Sequence, residues 1–573
     1  MAKRKVADIV IEALEQAGAK HCYGVVGDTL NHVTDAIRRS SKMDWVHVRH
    51  EEVGAFAAGA EAYFTGRLAV CAGSCGPGSL HFINGIYESH RNRAPVVLIA
   101  SQVATTELGI EFPQEVEFRP IYKHCSVFCE TIWIPSQARR MATLAAQAAL
   151  TKRGVAVLVL PGDIAATDTE EGPSYTVHTP EPVTRPSDAE LDRIAAVINA
   201  GKKIAVYAGA GCERAHDQVV RFCETLKAPM AHTSRAKDFV EYDNPCNVGM
   251  TGVFGSKAGF QAVTGCDTLV LLGCDFAWRQ FYPKNARVVQ VDIDASHLGR
   301  RHPVEVGVVG DIAPTLDALQ ARLQPRQQHD FLDECLTLHT KAQASLQQQA
   351  APGRNGLIHP QQLGALLDRY AADDAIFTGD GGSPMVWVLR CIHVNGKRRT
   401  LTSLLHGTMA NAMPQALGAK RALPARQVIA LCGDGGLTML LGDLLTAVQE
   451  NIAVKIVVFN NGTLGFVELE MKVEGLLDSY TELKNPDFGK LADVMGLRGW
   501  TVERNEQLES AMQAFLAHDG PALLDVHVNR NELVMPPRIE PAMAVGTVIY
   551  GAKAILDGRA RDVVEMVDTN LRR

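Results

Sequence analysis

Two short polar motifs in the C-terminal half of the chain combine cation-binding oxygens with backbone that can approach phosphate. Asp434 stands in the sequence Cys-Gly-Asp-Gly-Gly, and Asn461 follows it by 27 residues in Phe-Asn-Asn-Gly. A carboxylate oxygen and an amide oxygen suit Mg²⁺, which keeps water and phosphate among its ligands. Glycines give the backbone N–H groups at a helix start close access to phosphate oxygens. The pair therefore predicts a magnesium–diphosphate site.

The segments around these motifs alternate short β-branched runs with helical patterns, which is typical of parallel α/β units. The runs at 427–432 and 455–459 precede Asp434 and Asn461, so both motifs are predicted at the carboxyl edge of neighbouring strands, where ligands bind. Apolar runs without alternation predict sheets that are covered on both faces. The remaining strand predictions are 68–72, 96–100, 155–160, 204–207, 268–272, 288–291, 375–378 and 522–528.

Two stretches divide the 573 residues into blocks. Prolines gather between 168 and 186, and the segment 324–356 is rich in glutamine and other polar residues, apart from a predicted helix at 331–348. We therefore predict three doubly wound parallel-sheet α/β domains followed by a short helical tail. Their expected limits are 1–185, 186–330, 350–530 and 531–573.

The first and third blocks repeat one supersecondary pattern. Each has a helix of small residues, at 53–62 and 410–419, which is followed by a strand, a glycine loop, a helix and another strand. The two glycine loops are 73–78 and 433–436. This repetition predicts two similar domains that can share a site between them.

Composition excludes several classes of protein. Hydrophobic residues make up 46% and charged residues 21%, as in ordinary globular proteins, and the net charge of −7 argues against a nucleic-acid partner. No apolar run approaches the roughly 18 residues of a membrane-spanning helix, and the N-terminus lacks the apolar core of a secretory signal. The pairs Cys71/Cys75 and Cys125/Cys129 have no partners that complete a zinc set, so we interpret the 13 cysteines as structural thiols of a cytoplasmic protein.

With these motifs in place, the chain resembles the thiamine diphosphate enzymes, and the order of its blocks resembles the pyruvate oxidase and acetohydroxyacid synthase group. Within that group it is most similar to the bacterial quinone-dependent pyruvate dehydrogenases. The resemblance covers essentially the whole chain and is carried by the sequences at 49–52, 72–78, 240–245 and 406–418. It implies a pyrimidine-binding first domain, an FAD-binding middle domain, and a third domain that binds diphosphate and Mg²⁺.

The resemblance also implies roles for single residues. Glu51 would hydrogen-bond the pyrimidine ring and favour its imino tautomer, although a carboxylate there also suits a helix N-terminus. Asp434, Asn461 and the carbonyl of Thr463 would hold Mg²⁺. The residues expected to be catalytic are Glu51, Gln114, Phe466 and Glu470. The other expected contacts of thiamine diphosphate are Gly407, Thr408, Met409, Gly435, Gly436, Gly462, Leu464, Gly465, Phe466 and Val467.

The middle block carries a weaker nucleotide signal. Gly209 and Gly211 follow the strand at 204–207 and open a helix, but Arg214 replaces the third glycine of a dinucleotide fingerprint. From these residues alone, a structural Rossmann-like domain and a nucleotide site remain equal alternatives. The resemblance implies FAD, with contacts from Gly209, Gly211, Thr251, Gly252, Val253, Phe254, Gly273, Cys274, Asp275, Phe276, Ala277, Trp278 and Asp292.

The tail at 550–573 has apolar residues at helical spacing and several arginines. This pattern is typical of a helix on a membrane surface, and also of one that docks on its own protein. The resemblance favours a phospholipid surface, and hence a cytoplasmic protein on the inner face of the cell membrane. The apolar residues are Val563, Val564, Val567 and Leu571, and the basic ones are Arg559, Arg561, Arg572 and Arg573.

The resemblance implies oxidation of pyruvate to acetate and CO₂, with electrons passing through FAD to ubiquinone or another membrane quinone. It also implies a homo-oligomer, a dimer or a homotetramer, whose thiamine site takes Glu51 from one chain and Asp434 from another. Pro113 and Gly381 depart from the family, which predicts a wider pocket that accepts 2-oxobutanoate. The alternatives are a phosphate- and oxygen-dependent pyruvate oxidase, an acetohydroxyacid synthase-type carboligase, and a silent paralogue. Intact Glu51, Asp434 and Asn461 argue against the silent paralogue.

Overall fold

The computed structural model describes residues 3–170, 173–352, 356–532 and 541–571. Within these ranges, three six-stranded parallel sheets follow one another along the chain. Each sheet has a separate hydrophobic core on each face, so helices cover it on both sides. The predicted architecture of three doubly wound α/β domains is therefore confirmed.

The first domain has strands β1 (Lys3–Lys5), β2 (His21–Gly24), β3 (Asp44–His47), β4 (Ala69–Gly73), β5 (Val96–Gln102), β6 (Phe128–Thr131), β7 (Val155–Pro161) and β8 (Asp168–Glu170). The parallel sheet has the order β3-β2-β4-β5-β7-β6, while β1 and β8 form an antiparallel ribbon. Its helices are α1 (Val6–Gln16), α2 (Asn31–Arg39), α3 (Glu51–Thr65), α4 (Pro77–Leu80), α5 (Ile83–Arg91), α6 (Phe118–Tyr122), α7 (Ala138–Lys152) and α8 (Gly162–Ala166).

The middle domain has strands β9 (Ile204–Ala208), β10 (Met230–His232), β11 (Asn247–Met250), β12 (Thr268–Leu272), β13 (Arg287–Asp292) and β14 (Val306–Val309). Their order, β11-β10-β9-β12-β13-β14, is that of a Rossmann fold, with a switch point between β9 and β12. Its helices, including the long one that was predicted at 331–348, are α9 (Asp188–Ala200), α10 (His216–Leu226), α11 (Lys237–Val240), α12 (Lys257–Gly265), α13 (Ile312–Gln320) and α14 (Asp330–Gln349).

The third domain has strands β15 (Ile376–Gly379), β16 (Arg399–Thr402), β17 (Val428–Gly433), β18 (Lys455–Asn460), β19 (Arg498–Val502) and β20 (Ala522–His527). Their order, β16-β15-β17-β18-β20-β19, repeats that of the first domain strand for strand, which confirms the predicted similarity of the two. Its helices are α15 (Pro360–Tyr370), α16 (Ser383–Cys391), α17 (Ala412–Ala422), α18 (Asp434–Met439), α19 (Leu444–Gln449), α20 (Gly465–Val473), α21 (Phe488–Met495) and α22 (Asn505–Ala517).

The two small-residue helices of the repeated pattern pack against each other. These are α3 of the first domain and α17 of the third, and they make the most extensive helix contact in the described chain. A Cβ at Gly418 would overlap the carbonyl oxygen of Ala57, so the backbones meet directly. Small residues in both helices therefore serve to bring the two domains together.

The tail forms two helices, α23 (Pro541–Leu556) and α24 (Ala560–Leu571), with Gly558 between them in a left-handed conformation. Tyr550, Ala554 and Met566 form a small core that packs on the third domain beside α20. Across the described ranges, no helix is both long enough and apolar enough to span a bilayer.

Candidate functional site

A cavity of about 240 Å³ opens at the carboxyl edge of the third sheet, where β15, β17 and β18 end. Both polar motifs lie in its wall, because each directly follows one of these strands. Thr408 and Gly462 are expected cofactor contacts that do not line it. The expected residues that do are Gly407, Met409, Asp434, Gly435, Gly436, Asn461, Thr463, Leu464, Gly465, Phe466 and Val467.

Asp434 joins the two motifs. It is the buried first residue of α18, and one of its carboxylate oxygens accepts a hydrogen bond from the Gly435 N–H (2.9 Å). The other accepts from the Gly462 N–H and from the side-chain amide of Asn485, both at 2.8 Å. Burial raises the pKa of Asp434, while these hydrogen bonds act in the opposite direction. Asn485 was not predicted, since no sequence spacing links it to either motif.

The glycines of this loop are required by close packing. A Cβ at Gly436 would overlap the Asp380 carboxylate, and one at Gly435 would lie 2.8 Å from Leu464 Cδ2. The cavity thus combines bare backbone at a helix start with carboxylate, amide and carbonyl oxygens, a donor set that suits Mg²⁺ and phosphate. The residues present therefore fit a magnesium ion and a diphosphate group.

Asp380 is a buried residue of the cavity wall that sequence reasoning did not assign. One of its oxygens accepts from the Ala412 N–H (2.8 Å) and the other from the Gly433 N–H (3.2 Å). Burial raises the pKa of Asp380 to about 7. A signal was present, because Gly-Asp-Gly-Gly at 379–382 repeats the motif at 433–436 after the neighbouring strand.

Gly381 was expected to widen the substrate pocket, and the structure corrects this expectation. The place of its missing side chain is taken by the carbonyl group of Thr408, which a Cβ would overlap. Gly381 therefore permits a close approach of two backbones and adds no free volume at this position.

The loop that carries Met409 is held by the first domain. Thr408 Oγ1 accepts a hydrogen bond from Asn84 Nδ2 (2.9 Å), and His406 bonds to the same side chain at 2.8 Å. The His406 ring also stacks on Tyr87, with centroids 5.6 Å apart. Contacts between the domains thus fix one wall of the cavity.

Glu51 does not line this cavity. It begins α3, where its carboxylate accepts a hydrogen bond from His81 Nδ1 at 2.9 Å. The His81 ring stacks on His50, whose Nδ1 accepts from the Glu52 N–H and caps the helix. Within one chain, the structure therefore separates Glu51 from Asp434, and their meeting between two chains stays a prediction.

Gln114 and Glu470 also lie away from the cavity. Gln114 has a left-handed backbone, and its side chain accepts a hydrogen bond from the Cys75 thiol (3.1 Å). Glu470 is exposed on α20. The buried carboxylate of that helix is Glu468, which accepts a hydrogen bond from Thr463 Oγ1 at 2.6 Å. Glu468 and Glu470 lie on opposite faces of the helix, and the sequence pattern does not show which of these faces is buried. Sequence reasoning therefore missed Glu468.

The expected FAD residues gather at the carboxyl ends of β9, β11, β12 and β13, on one edge of the middle sheet. A Cβ at Gly209 would overlap the Gly273 carbonyl, so these glycines are explained by the close approach of two loops. Asp292 is buried and accepts hydrogen bonds from the Asp294 N–H (3.0 Å) and His297 (3.2 Å). These contacts agree with a structural role as well as with a nucleotide site.

Two observations fit a dinucleotide at this edge. The buried hydroxyl of Thr251 has no hydrogen-bond partner among the described residues. The edge also faces the cavity of the third domain, since Phe254 packs edge-on against Phe466 with ring centroids 6.0 Å apart. The strand order offers the crevice in which such folds bind dinucleotides.

Comparison with known proteins identifies all three domains. Residues 4–121, 191–319 and 380–526 match the N-terminal, central and C-terminal domains of thiamine pyrophosphate enzymes. A putative thiamine pyrophosphate-containing protein of Bacillus subtilis is 33% identical over 98% of this chain and 97% of its own length. The pyruvate oxidase of Lactiplantibacillus plantarum is 30% identical over 90% of this chain and 87% of its own length. An acetolactate synthase large subunit of Parasynechococcus marenigrum is also 30% identical, over 94% of this chain and 90% of its own length.

Proposed function

Because the chain belongs to the thiamine pyrophosphate enzyme family, we propose that it oxidises pyruvate to acetate and CO₂ and passes the electrons through FAD to a membrane quinone. The observation that carries the proposal is the tail hairpin, which packs on the helix next to the cavity and turns apolar side chains to solvent. The similarities to a pyruvate oxidase and to an acetolactate synthase are equal in identity, so the choice between them depends on such features of this chain.

The cavity residues have distinct parts in this proposal. Asp434, Asn461 and the Thr463 carbonyl would hold Mg²⁺, and the N–H groups at the start of α18 would receive the diphosphate. Glu51 would hold a proton against the pyrimidine ring from a second copy of the chain, which makes the working unit at least a dimer. Bound thiamine diphosphate supplies the electron sink that lets a 2-oxo acid lose CO₂. Phe466 would pack on the substrate side of the cavity.

The contact between Phe254 and Phe466 supports the redox step. One of the expected flavin residues of the middle domain, Phe254, therefore lies directly beside the cavity wall. A two-electron transfer needs such proximity. Thr251 and Asp292 would bind FAD through the hydroxyl and carboxylate that lie at this edge.

The tail hairpin packs on the third domain, and several of its apolar side chains are exposed to solvent. Arg559 forms a bidentate ion pair with Asp478 (2.7 and 2.8 Å), and Lys553 donates to the Gly475 carbonyl at 2.8 Å. Of the apolar residues predicted for the tail, Val563 packs against the small core of the hairpin. The side chain of Leu571, and Arg572 and Arg573 as a whole, lie outside the described residues. The exposed apolar residues of the hairpin are Val545, Val548, Ile549, Ile555, Leu556, Val564 and Val567.

We propose that the hairpin rests on the protein while the flavin is oxidised and moves to phospholipid when it is reduced, at the inner face of the cell membrane. Apolar area buried in lipid, together with basic side chains, drives such binding. Deletion of residues 541–573 should then abolish sedimentation with phospholipid vesicles and slow quinone reduction, while leaving flavin reduction by pyruvate intact.

The proposal is tested by anaerobic addition of pyruvate to enzyme loaded with thiamine diphosphate, Mg²⁺ and FAD. We expect the flavin absorbance to bleach, acetate to form, and a quinone analogue to restore the colour. Acetolactate without bleaching would establish the carboligase instead. A requirement for phosphate and oxygen would establish the phosphate-dependent oxidase.

A further inference from the structure

The turn that leads into Glu51 is fixed by side chains of the third domain. Asp443, just before α19, accepts a hydrogen bond from the backbone N–H of Arg49 at 2.8 Å. Glu450, just after α19, accepts one from the backbone N–H of His47 at 3.2 Å. These bonds cross from one domain to the other and connect residues about 400 positions apart in the chain.

Asp443 is the central group of this contact. It is 1% exposed, and the same oxygen that receives the Arg49 N–H also accepts from the Thr446 hydroxyl at 2.8 Å. Thr446 Oγ1 also lies 3.3 Å from the carbonyl oxygen of His47, so its single hydrogen is shared between these two acceptors. A buried carboxylate is costly unless it is hydrogen-bonded, so Asp443 and the turn stabilise each other's positions.

From this geometry we infer that Asp443 is a positioning residue for Glu51, acting through the backbone of Arg49. Only His50 separates Arg49 from Glu51, and His50 caps the helix that Glu51 begins. A displacement of the turn therefore carries the Glu51 carboxylate with it. The inference rests on the role proposed above for Glu51, and it gives the third domain a second task besides holding the cation ligands.

The chain offers a matched control in Asp238. This aspartate is also buried and also bridges two domains, because it accepts hydrogen bonds from the backbone N–H (2.6 Å) and the hydroxyl (2.7 Å) of Thr400. It lies at the contact of the middle and third domains. Asp443→Asn and Asp238→Asn each remove the charge of a buried carboxylate that accepts hydrogen bonds across a domain contact, although Asp238 also pairs with Arg399 (3.4 Å). Only Asp443 lies against the turn before Glu51.

The first measurement is amide hydrogen exchange of segment 47–53 in the protein without cofactors. Loss of a charged hydrogen bond should speed this exchange about tenfold in Asp443→Asn and leave it unchanged in Asp238→Asn. If Asp443→Asn does not fold, Thr446→Val serves as the test variant instead. It removes only the neighbouring hydroxyl and should speed the amide exchange of this segment about threefold. Equal exchange in Asp443→Asn and wild type, or the same acceleration in both aspartate variants, would overturn the inference.

The second measurement is the exchange rate of the C2 proton of thiamine diphosphate bound to the holoenzyme. We expect Asp443→Asn to slow it about tenfold and to add nothing when Glu51→Gln is already present, because Asp443 acts through Glu51. Additive slowing in the double variant, or no slowing in Asp443→Asn, would overturn the positioning role. No slowing in Glu51→Gln would instead remove the proposed role of Glu51, while the amide exchange would still report on the turn.

Discussion

The first and third domains share one topology and present different chemistry at the same place. In each parallel sheet, the third strand in chain order is followed by a glycine loop, after β4 in one and β17 in the other. The first loop carries Ser74 and Cys75, which bond to Thr29 and Gln114 of its own domain. The third carries Asp434, whose carboxylate joins the two polar motifs by accepting the Gly462 N–H. The sheet thus sets where the loop lies, and the loop residues set what it can bind.

The largest expected effect comes from removing the carboxylate that the third domain's loop has and the first domain's loop lacks. Asp434→Asn should weaken binding of thiamine diphosphate with Mg²⁺ by more than about 100-fold, since even outer-shell partners of metal ligands are worth 10–100-fold. Isothermal titration calorimetry measures this directly. Ser74 occupies the corresponding position in the first domain, and Ser74→Ala should change the affinity by less than about threefold. Comparable losses in both variants would contradict the division between the loops.

The pH dependence of the free energy of unfolding should report on Asp443, which lies at the contact between the first and third domains. Burial raises the pKa of Asp443 to about 6 from an ordinary value of 3.8, so the folded state binds more protons between these pH values. The free energy of unfolding should therefore fall as pH rises from about 4 to about 6, by up to about 3 kcal/mol. Asp443→Asn should show a fall that is smaller by this amount, because other buried carboxylates such as Asp380 also have raised pKa values and keep their own contributions. Denaturant titrations of both proteins at several pH values measure the difference. Parallel pH profiles for the variant and wild type would argue against a buried, titrating carboxylate.

Crowding the helix contact should destabilise the pair of domains without touching the cavity. Gly418→Ala places a methyl group against the Ala57 carbonyl, and such overpacking lowers the free energy of unfolding by about 2 kcal/mol. Gly442 has nothing within 4 Å of an added Cβ, so Gly442→Ala should change stability by less than about 0.5 kcal/mol. Chemical denaturation compares the two, and equal midpoints would show that the helices can separate freely.

The smallest effect concerns the tail hairpin, which the third domain carries and the first lacks. Arg559→Ala removes the ion pair to Asp478 and should loosen docking by about 1 kcal/mol. Faster proteolysis of the hairpin measures this. Arg561 pairs with Glu565 on the same helix and has a 90% exposed side chain, so Arg561→Ala should leave the cleavage rate unchanged. Equal rates in the two variants would indicate that the ion pair does not hold the hairpin.

Sequence reasoning located the central strands and missed the edges. Strands such as β12 and β18 are buried on both faces, and their continuous apolar runs set their limits to within a residue or two. The edge strands β3, β6, β11, β14, β16 and β19 are short and include polar or half-buried residues, so their sequences do not stand out. Both neighbours β2 and β10 were missed for the same reason of length.

The site was predictable where ligand type and spacing coincide, as at Asp434 and Asn461. It was not predictable where a residue acts through a tertiary contact. Asn485 reaches Asp434 from a distant turn, and Asp443 reaches Arg49 across a domain contact. Such pairings depend on how two sheets are placed, which no local pattern encodes.

The division of labour between the first and third domains is tested most directly by mixing two inactive variants. The Glu51→Gln chain retains Asp434, and the Asp434→Asn chain retains Glu51. If each site takes Glu51 from one chain and Asp434 from another, co-expression of the two variants should restore pyruvate-dependent flavin reduction in the mixed oligomer. A mixed oligomer that remains inactive, although each variant chain folds and assembles, would contradict a site that is shared between chains.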